Sequence, residues 1–467
     1  MAAERNGKEI AVVDPATEEV VGRVERCGAE QVQCAVEAAF AAYRSGWRQM
    51  KAAERSAVLH AVGQAIRKHA GELAHIESLQ TGKPISAARG ETLRAARYFE
   101  YYAGAVDKFL GGTGPEDHEF FDFTMVEPLG VTAHIVPWNF PLVIFSRTVA
   151  AALAMGNAAV VKPAEEAPLS ILRVAEIARQ AGLPPGVMAV VTGYGEEAGA
   201  PLVQHPLVRA VAFTGSVETG KAVLRMAAER VIPVFPELGG KSPNVVFADA
   251  DLDWAVQNAY AAMFSNAGQT CIAGSRLIVE RSIRSRFVEM LVAKVSAIRL
   301  GRGLDDPDMG PMISAEHRAR VLHYIESGVR EGARLVTGGG PPADMPKGYF
   351  VRPTIFDQVR PEMRIAREEI FGPVLCVLPF DSEEEAARLA NDTEYGLAAG
   401  IFTRDIGRAL RLSRDIDAGR IYINQYPCGD VTAPFGGNKL SGYGRACGLE
   451  ALRHFTQLKS VSIRYGT

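Results

Sequence analysis

The fold of this chain is organised around one stretch, Asn266-Ala-Gly-Gln-Thr-Cys-Ile-Ala-Gly-Ser-Arg276. An amphipathic run, Leu252 to Phe264, precedes this stretch, and the apolar residues Leu277 to Val279 follow it, which predicts a helix, a loop and a strand. Cys271 lies at the end of the loop. A single cysteine is most often an inert apolar residue, but Gly268 to Thr270 are typical of an exposed turn. The flanking sequence therefore favours a reactive thiol at Cys271.

A carboxylate lies upstream of the cysteine loop, in Val234-Phe-Pro-Glu-Leu-Gly-Gly-Lys-Ser-Pro243. Apolar residues from Val231 to Phe235 predict a strand that runs into Glu237 and then into two glycines. Most glutamates are solvated surface acids. Opposite a nucleophilic cysteine, the same carboxylate can activate a water molecule. This stretch alone leaves both interpretations open.

Length and composition indicate an ordinary globular protein with more than one domain. The chain has 467 residues, and a single hydrophobic core stops growing at about 250–300 residues. A net charge of −3 gives no reason to expect a nucleic acid or an anionic membrane as a partner. The six cysteines show no Cys-x-x-Cys and no metal-ligand spacing. They favour free thiols in a reducing compartment, which predicts a cytoplasmic protein without a bound metal.

The N-terminus is polar and lacks an apolar signal core, so we do not expect export. The longest apolar stretch, Phe140 to Val161, is interrupted by Arg147, Gly156 and Asn157. Such a stretch predicts a helix followed by a strand and not a membrane span.

Periodicity predicts an α/β fold. Residues 10–24 predict a pair of strands, and helices are expected at 29–45, 51–80 and 87–109, the last ended by Gly111 and Gly112. Strands and helices then alternate from 131 to 239, which favours a parallel, doubly wound sheet. The strands predicted there are Val131–Val136, Ala158–Val161, Met188–Val191, Ala210–Phe213 and Val231–Phe235, with helices near 141–154, 168–181, 196–203 and 217–228. A second alternating set, with strands near 244–248, 275–279, 374–379, 398–403 and 420–423, runs from 243 to about 440.

Several motifs together resemble those of the aldehyde dehydrogenase superfamily over nearly the whole chain. In chain order they are Pro137-Trp-Asn-Phe-Pro141, Val161-Lys-Pro-Ala-Glu165, Phe213-Thr-Gly-Ser216, Glu237-Leu-Gly-Gly-Lys241, Gly268-Gln-Thr-Cys271, Glu368-Glu-Ile-Phe-Gly-Pro373 and Pro434-Phe-Gly-Gly437. Any one of these is weak, but all of them in the family's order, with its usual spacing from glutamate to cysteine, make a specific pattern.

The resemblance implies two doubly wound domains and a small β arm for oligomerisation. The Rossmann-like NAD-binding domain is expected at 1–114 and 131–239, the catalytic domain at 240–440, and the arm at 115–130 and 455–467. In the arm, Phe120 to Thr124 would pair with Val461 to Ile463 and contribute to a homodimer or a homotetramer. The other interpretation of this segment is a simple exposed hairpin, although its aromatic density favours an interface.

The sequence also indicates where a dinucleotide would bind. Phe213-Thr-Gly-Ser216 predicts a strand, a glycine turn and a helix start that offers N–H groups to a pyrophosphate, unless Ser216 is only an N-cap. Lys162 and Glu165 follow a strand at the edge of an open sheet where nucleotides bind, and by resemblance they hold the adenosine ribose, which favours NAD over NADP. Glu369 and Phe371 match the pair that contacts the nicotinamide riboside. The residues expected to contact the cofactor are Ile135, Trp138, Lys162, Glu165, Gly195, Phe213, Gly215, Ser216, Leu238, Glu369 and Phe371.

The resemblance implies aldehyde oxidation through a thiohemiacetal and a thioacyl-enzyme. Cys271 would attack the aldehyde, and this attack needs a lowered pKa or a nearby base. Asn139, which is also a turn residue before Pro141, and the Cys271 backbone would stabilise the oxyanion. Glu237 would activate the water that hydrolyses the thioester, whereas relatives that transfer the acyl group to coenzyme A lack this glutamate. The other possibilities are a coenzyme A-acylating enzyme and a catalytically idle binding or structural relative.

By resemblance the aldehyde tunnel is lined by Phe140, Val143, Arg147, Ser265, Thr270, Ile272, Gly429 and Phe435. Arg147, Ser265 and Gly429 stand where relatives that prefer small aliphatic aldehydes carry large rings, so a bulky aromatic or long-chain aldehyde is expected. Arg147 also matches one arginine of the carboxylate clamp of succinate-semialdehyde dehydrogenases, which leaves a semialdehyde as an alternative. The remaining interpretation of Arg147 is a salt bridge at a helix surface. After Arg445, Ala446 and Cys447 replace acidic residues that are common in the family.

Overall fold

A computed structural model describes residues 8–115 and 118–465 of the chain. Residues 1–7, 116–117 and 466–467, which the expected domain and arm boundaries include, lie outside this part. The described chain begins with an antiparallel strand pair and a run of helices. These elements are β1 (Glu9–Asp14), β2 (Glu19–Glu25), α1 (Ala29–Ser45), α2 (Ala52–Lys68), α3 (Ala70–Thr81) and α4 (Ile85–Ala103).

Two of the helix predictions for this region are wrong. The helix expected at 51–80 is two helices, because His69 adopts a non-helical conformation with φ −93° and ψ 15°. The apolar periodicity continues through the break, so the pattern could not reveal it. The helix expected at 87–109 ends at Ala103, before Gly104, and residues beyond it form turns that bury Ala105 and Val106.

The next part of the chain forms a parallel sheet with the strand order β6-β5-β4-β7-β8. Its elements, preceded by β3, are β3 (Phe120–Pro128), β4 (Val131–Val136), α5 (Pro141–Ala154), β5 (Ala158–Pro163), α6 (Leu169–Gln180), β6 (Met188–Val190), α7 (Ala200–Gln204), β7 (Val208–Thr214), α8 (Val217–Ala228) and β8 (Val234–Glu237).

The boundaries of two elements differ from the predictions. The strand expected at Val231–Phe235 begins only at Val234 and includes Glu237. Val231 is instead 93 % exposed and has a left-handed backbone with φ +54°, so its apolar side chain belongs to a turn. The helix expected at 196–203 is a π-helical turn, Gly195–Gly199, that continues into α7.

The second sheet has the order β11-β12-β13-β10-β9-β15-β16, and only the pair β11 and β12 is antiparallel. The elements of this part are β9 (Pro243–Val246), α9 (Leu252–Phe264), β10 (Arg276–Glu280), α10 (Arg284–Ser296), α11 (Ala315–Arg330), β11 (Arg334–Thr337), β12 (Thr354–Asp357), α12 (Arg364–Arg367), β13 (Val374–Phe380), α13 (Glu383–Asn391), β14 (Tyr395–Gly396), β15 (Ala398–Phe402), α14 (Ile406–Asp415), β16 (Arg420–Ile423), β17 (Asn438–Lys439), α15 (Glu450–Arg453) and β18 (Thr456–Arg464).

Helices cover both faces of each sheet, which confirms the doubly wound α/β fold. On one face of the first sheet, α2, α4, α5 and α6 form the largest apolar core, and α1, α7 and α8 pack on the other face. The second sheet packs against α9 and α10 on one side and α13 and α14 on the other. Central strands such as β5 are buried along their whole length, as expected for a parallel sheet covered on both faces. No described helix is both long and apolar enough to cross a membrane.

The C-terminal strand returns to β3, the strand directly before the first sheet, and the two form a separate ribbon. β18 pairs antiparallel with β3, and Val461 lies opposite Phe123 in this ribbon. Asn157, fully buried before β5, holds this end of the chain in place. Its amide donates to Phe455 O (2.8 Å) and Ala152 O (3.0 Å), and its Oδ1 accepts from Gly130 N (3.0 Å).

We expect Asn157→Ala to destabilise the protein by about 2–4 kcal/mol, because two backbone groups, Gly130 N–H and Phe455 C=O, would lose their partner. Thermal unfolding should show a lower Tm than in the wild type. Gln49→Ala, at an exposed position, is the matched control and should leave the Tm within the error of the measurement. An unchanged Tm in Asn157→Ala would show that Asn157 does not secure this junction.

Candidate active site

The two sheets bring the three predicted catalytic residues to one place. Asn139 follows β4 and Glu237 ends β8 in the first sheet, while Cys271 lies in the loop between α9 and β10 of the second. Cys271 and Glu237 line the same cavity, which has a volume of about 290 Å³. The helix, loop and strand predicted around Cys271 are present.

The loop before Cys271 has an unusual backbone. Asn266, Ala267 and Gly268 are consecutive left-handed residues, with φ of +50°, +53° and +70°. A left-handed conformation costs a residue with a side chain roughly 1–2 kcal/mol, so neighbouring contacts must hold this turn. A Cβ added at Gly268 would collide with the backbone oxygen of Gly372. A glycine is therefore required at this position for both its conformation and its size.

The expectation of an exposed turn at 268–270 is wrong. Gln269 is only 2 % exposed, and its side chain makes three hydrogen bonds to the backbone. Its Nε2 donates to Asn266 O (3.2 Å) and Pro311 O (3.3 Å), and its Oε1 accepts from Ile313 N (2.9 Å). The amide can be buried because its polar atoms are satisfied. Gln269 thus fixes the strained turn from inside the protein.

Hydrogen bonds join this loop directly to the Asn139 turn. Asn139 Nδ2 donates to Gln269 O at 3.1 Å, and Asn266 Nδ2 donates to Asn139 O at 3.2 Å. An amide nitrogen carries two hydrogens. The bond to Gln269 uses one of them, so Asn139 retains a second donor for a substrate oxygen.

Cys271 is half-buried and does not have the lowered pKa that a nucleophile would use. Burial raises the pKa of its thiol to about 12, and the nearby carboxylates of Glu237 and Glu369 act in the same direction. Arg147 is the neighbouring charge that opposes them. In this state Cys271 is a thiol, so a base or a change in local charge must assist its ionisation.

Glu237 is a buried carboxylate with only 8 % exposure. Burial raises its pKa to about 7, against the opposing effects of Arg147 and Arg445. Its Oε2 has no hydrogen-bond partner, and a Cβ added at Gly436 would lie 2.9 Å from its Oε1. The group is therefore poised between its acid and base forms near neutral pH, as a general base requires.

Arg147 is a buried cation, which contradicts the alternative of a salt bridge at the helix surface. It is 7 % exposed, has no ion pair within the described residues, and its Nε lacks a hydrogen-bond partner. Its guanidinium lies 5.3 Å from the centre of the Phe435 ring. Burial opposes its charge, but the nearby Glu237 carboxylate raises the pKa of the guanidinium above its ordinary value. Arg147 remains charged in the reaction cavity.

All eight residues expected in the aldehyde tunnel line this cavity: Phe140, Val143, Arg147, Ser265, Thr270, Ile272, Gly429 and Phe435. At Gly429, with φ +123°, an added Cβ would collide with Arg420 Nη2. The space left by the absent side chain is therefore partly taken up by a guanidinium, which the sequence did not suggest. Further lining residues that sequence reasoning missed are Arg94, Tyr98, Arg420, Tyr422, Cys428 and Cys447. They belong to distant elements and carry no local motif.

The residues expected to hold the adenosine half of a dinucleotide lie at one edge of the first sheet. Lys162, at the end of β5, is buried and forms an ion pair with the half-buried Glu165 at 3.1 Å. Ser216 is the N-cap of α8, and its Oγ accepts from Thr219 N at 3.2 Å. The first N–H groups of α8 remain available to an anion. An acidic acceptor for hydroxyl groups and a helix N-terminus for phosphate together fit NAD.

The remaining expected cofactor residues come from the parts of the chain that form both sheets. Glu369 is placed against the two glycines that follow Glu237: its Oε1 accepts from Gly240 N at 3.0 Å, and a Cβ added at Gly239 would overlap its carboxylate. Trp138 makes an edge contact with Phe371 at 5.4 Å between ring centres. Ile135 lies on β4, Phe213 on β7, Gly215 beside Ser216, Gly195 at the start of the π-helical turn, and Leu238 directly after Glu237.

Comparisons with known proteins agree with this architecture. Residues 2–461 match the model of the aldehyde dehydrogenase family. A rat protein named "Aldehyde dehydrogenase, cytosolic 1" is 44 % identical over 98 % of this chain and 92 % of its own length. A crystal structure of a putative aldehyde dehydrogenase from Burkholderia cenocepacia has 48 % identity and a TM-score of 0.96, over 98 % of this chain and 97 % of that one. An NAD+ complex of an aldehyde dehydrogenase from Bacillus cereus has 43 % identity and a TM-score of 0.96, over 98 % and 94 %.

Proposed function

The chain belongs to the aldehyde dehydrogenase family, and we propose that it oxidises a bulky aromatic or long-chain aldehyde to the carboxylate, with NAD as hydride acceptor and water as acyl acceptor. The observation that carries the proposal is the arrangement of Cys271 and Glu237 in one cavity, with Asn139 hydrogen-bonded to the loop that carries the thiol. The hydrolytic reaction is favoured over transfer to coenzyme A because Glu237 is present. An idle relative would have no need for this strained and desolvated site.

In the first step the half-buried Cys271 thiol gives its proton to a solvent water molecule, and the sulfur attacks the aldehyde carbon. Arg147 assists because its buried positive charge favours the thiolate. The carbonyl oxygen becomes an oxyanion, and the free N–H of Asn139 and the backbone N–H of Cys271 stabilise it by about 3 kcal/mol each. The product is a thiohemiacetal on Cys271.

NAD, when bound, supplies the chemistry of accepting a hydride from the aldehyde carbon. Lys162, Glu165 and the N-terminus of α8 would hold its adenosine and pyrophosphate, and Glu369 and Phe371 its nicotinamide riboside. The oxidised carbon is left as a thioester on Cys271. Glu237 then takes a proton from a water molecule, whose oxygen attacks the thioester and releases the carboxylate and the thiol.

We expect Glu237→Gln to form NADH in a first turnover and then to stall, because only the later hydrolysis needs the base. In the wild type the hydrolysis rate should rise as the pH increases through about 7, where Glu237 loses its proton, and level off above it. Rapid-mixing measurements of NADH at a series of pH values test both expectations.

Cys271→Ala is the control for the Glu237 experiment and should form no NADH in the first turnover while it still binds NAD. A slow first turnover in Glu237→Gln would contradict the proposal and place Glu237 before the oxidation step. If Cys271→Ala kept more than a few per cent of the wild-type activity, the assignment of the nucleophile would be wrong.

We propose that Glu165 selects NAD over NADP. Its carboxylate, held by Lys162 at the edge of the first sheet, can accept bonds from ribose hydroxyls and repels a 2′-phosphate. Glu165→Gln should therefore reduce the preference for NAD, measured as the ratio of kcat/KM for the two coenzymes. Glu176→Gln, at an exposed position of α6, is the control. A wild-type enzyme that prefers NADP would overturn the proposal.

The substrate class follows from the dimensions and chemistry of the cavity. Its 290 Å³ is several times the space that a two-carbon aldehyde fills, and aromatic rings and aliphatic side chains form most of its wall. Arg147 provides a donor for a polar group or a partner for an aromatic ring. No second arginine lies at Ser265 to complete a carboxylate clamp, so a semialdehyde is the second candidate.

Benzaldehyde and hexanal should give a higher kcat/KM than acetaldehyde and succinate semialdehyde, because each missing contact in such a pocket changes discrimination by roughly 10- to 200-fold. Ser265→Phe narrows the exposed side of the cavity and should reduce kcat/KM for the large aldehydes while acetaldehyde is little affected. If acetaldehyde were the best substrate of the wild type, this assignment of the cavity would be wrong.

We propose the domain boundaries given above, with NAD held by 1–114 and 131–239, the nucleophile by 240–440, and an oligomerisation arm at 115–130 and 455–467. The exposed apolar side chains of the β3 and β18 ribbon, among them Phe120, Phe121 and Leu458, support an interface in a homodimer or a homotetramer. The six free thiols support a cytoplasmic location.

A further inference from the structure

Lys83 is a buried cation directly behind the Asn139 turn. It lies in the loop between α3 and α4 and is only 2 % exposed. Its ammonium donates to Asn139 O at 2.9 Å, forms an ion pair with Glu91, and lies 4.7 Å from the centre of the Phe140 ring. Lysine is almost never fully buried unless it is paired, so these contacts indicate a position that the protein maintains.

The backbone of Lys83 is held as firmly as its side chain. Ser78 Oγ donates to Lys83 O at 2.7 Å. A Cβ added at Gly303 would overlap the same oxygen, so a second loop packs closely against this one. The backbone of Lys83 is therefore held by Ser78 and by the loop that contains Gly303. The ammonium at the end of the side chain is held by its ion pair with Glu91.

The Asn139 turn is consequently restrained at both its backbone and its side chain. Its carbonyl accepts from Lys83 Nζ and from Asn266 Nδ2, and its own amide donates to Gln269 O. The two donors that hold the carbonyl come from different parts of the chain. Lys83 lies between α3 and α4, and Asn266 lies in the loop that carries Cys271. With these three bonds in place, the free N–H of Asn139 can point in only one direction.

We propose that Lys83 is a positioning residue for the oxidation: by holding the Asn139 carbonyl, its ammonium aims the free amide N–H of Asn139 at the oxyanion that forms on Cys271. This inference rests on the proposed role of Asn139. It assigns no substrate contact to Lys83. A residue that acts in this way should affect the rate through Asn139 and not independently of it.

A double-mutant cycle separates this role from a general contribution to folding. Lys83→Met should lower the single-turnover rate of NADH formation at saturating benzaldehyde and NAD by at least about 10-fold, because small errors in catalytic geometry are costly. In an Asn139→Ala background, where there is no amide left to aim, the same substitution should change the rate by less than about 3-fold. The affinity for NAD and the rate of Cys271 alkylation by iodoacetamide, which needs no oxyanion donor, should be unchanged.

Arg284→Met is the matched control, because it removes the cation of another largely buried pair, Arg284 and Asp357, with N–O distances of 2.8 and 3.0 Å. It should lower the Tm and leave the single-turnover rate unaltered. If Lys83→Met does not fold, Glu91→Gln takes its place in the cycle. Loss of this counter-ion leaves the Lys83 ammonium less firmly held. Glu91→Gln should therefore slow the reaction when Asn139 is present and not in the Asn139→Ala variant.

The outcomes are distinguishable. Lys83→Met could lower the single-turnover rate by the same factor in the wild-type background and in the Asn139→Ala background. That result would overturn the positioning role and leave Lys83 as a residue that only stabilises the fold. If the single variant Asn139→Ala kept the wild-type single-turnover rate, the proposed role of Asn139 in stabilising the oxyanion would instead be refuted. Restoration of most of the rate by Lys83→Arg, which keeps a cationic donor, is the result expected if donation to Asn139 O is what matters.

Discussion

The hydrogen bonds between the Asn139 turn and the Gln269 loop are the constraint on which the rest of the site depends. Asn139 follows β4 of the first sheet and Gln269 precedes β10 of the second, so no local interaction can set the distance between the donor and the thiol. The left-handed run before Cys271 and the burial of Gln269 both serve this contact. Strain in the loop is tolerated because the bonds on each side leave it no other conformation.

The cavity gives the Cys271 thiol and the Glu237 carboxyl widely different pKa values. Burial acts on both Cys271 and Glu237, but it raises the pKa of the thiol to about 12 and that of the carboxyl only to about 7. Near neutral pH the cavity therefore holds a protonated thiol beside a carboxyl group that exchanges its proton readily. Arg147 lowers the pKa of both groups, so one buried cation favours the ionisation of each.

The sequence was sufficient for the elements with a regular apolar pattern and for the motifs of the site. The strands around Val131–Val136 and Arg420–Ile423 were predicted at their observed bounds, because period and flanking turns agree there. The break at His69 escaped prediction because the apolar repeat continues across it, and Val231 was misassigned because an apolar side chain need not be buried. Burial was harder to predict. Gln269 and Lys83 have polar side chains that predict exposure, and only their tertiary hydrogen-bond partners make their burial possible. Arg147 is buried without an ion pair among the described residues, which no local pattern indicates.

The return of the C-terminal segment has a consequence for the order in which the enzyme is made. The strand that ends in Glu237 is completed by residues synthesised much later: Leu238 N donates to Ser441 O at 3.0 Å, and Glu237 bridges to Gly442. In the same way Asn157, directly before β5, donates to Phe455 O. A nascent chain generally folds from its N-terminus, and contacts between residues so distant in sequence form slowly. The end of the first sheet at Glu237 therefore lacks these contacts until residues 441 and 442 have been synthesised. The buried surroundings of Glu237 are therefore complete only after Ser441 and Gly442 have reached the end of β8.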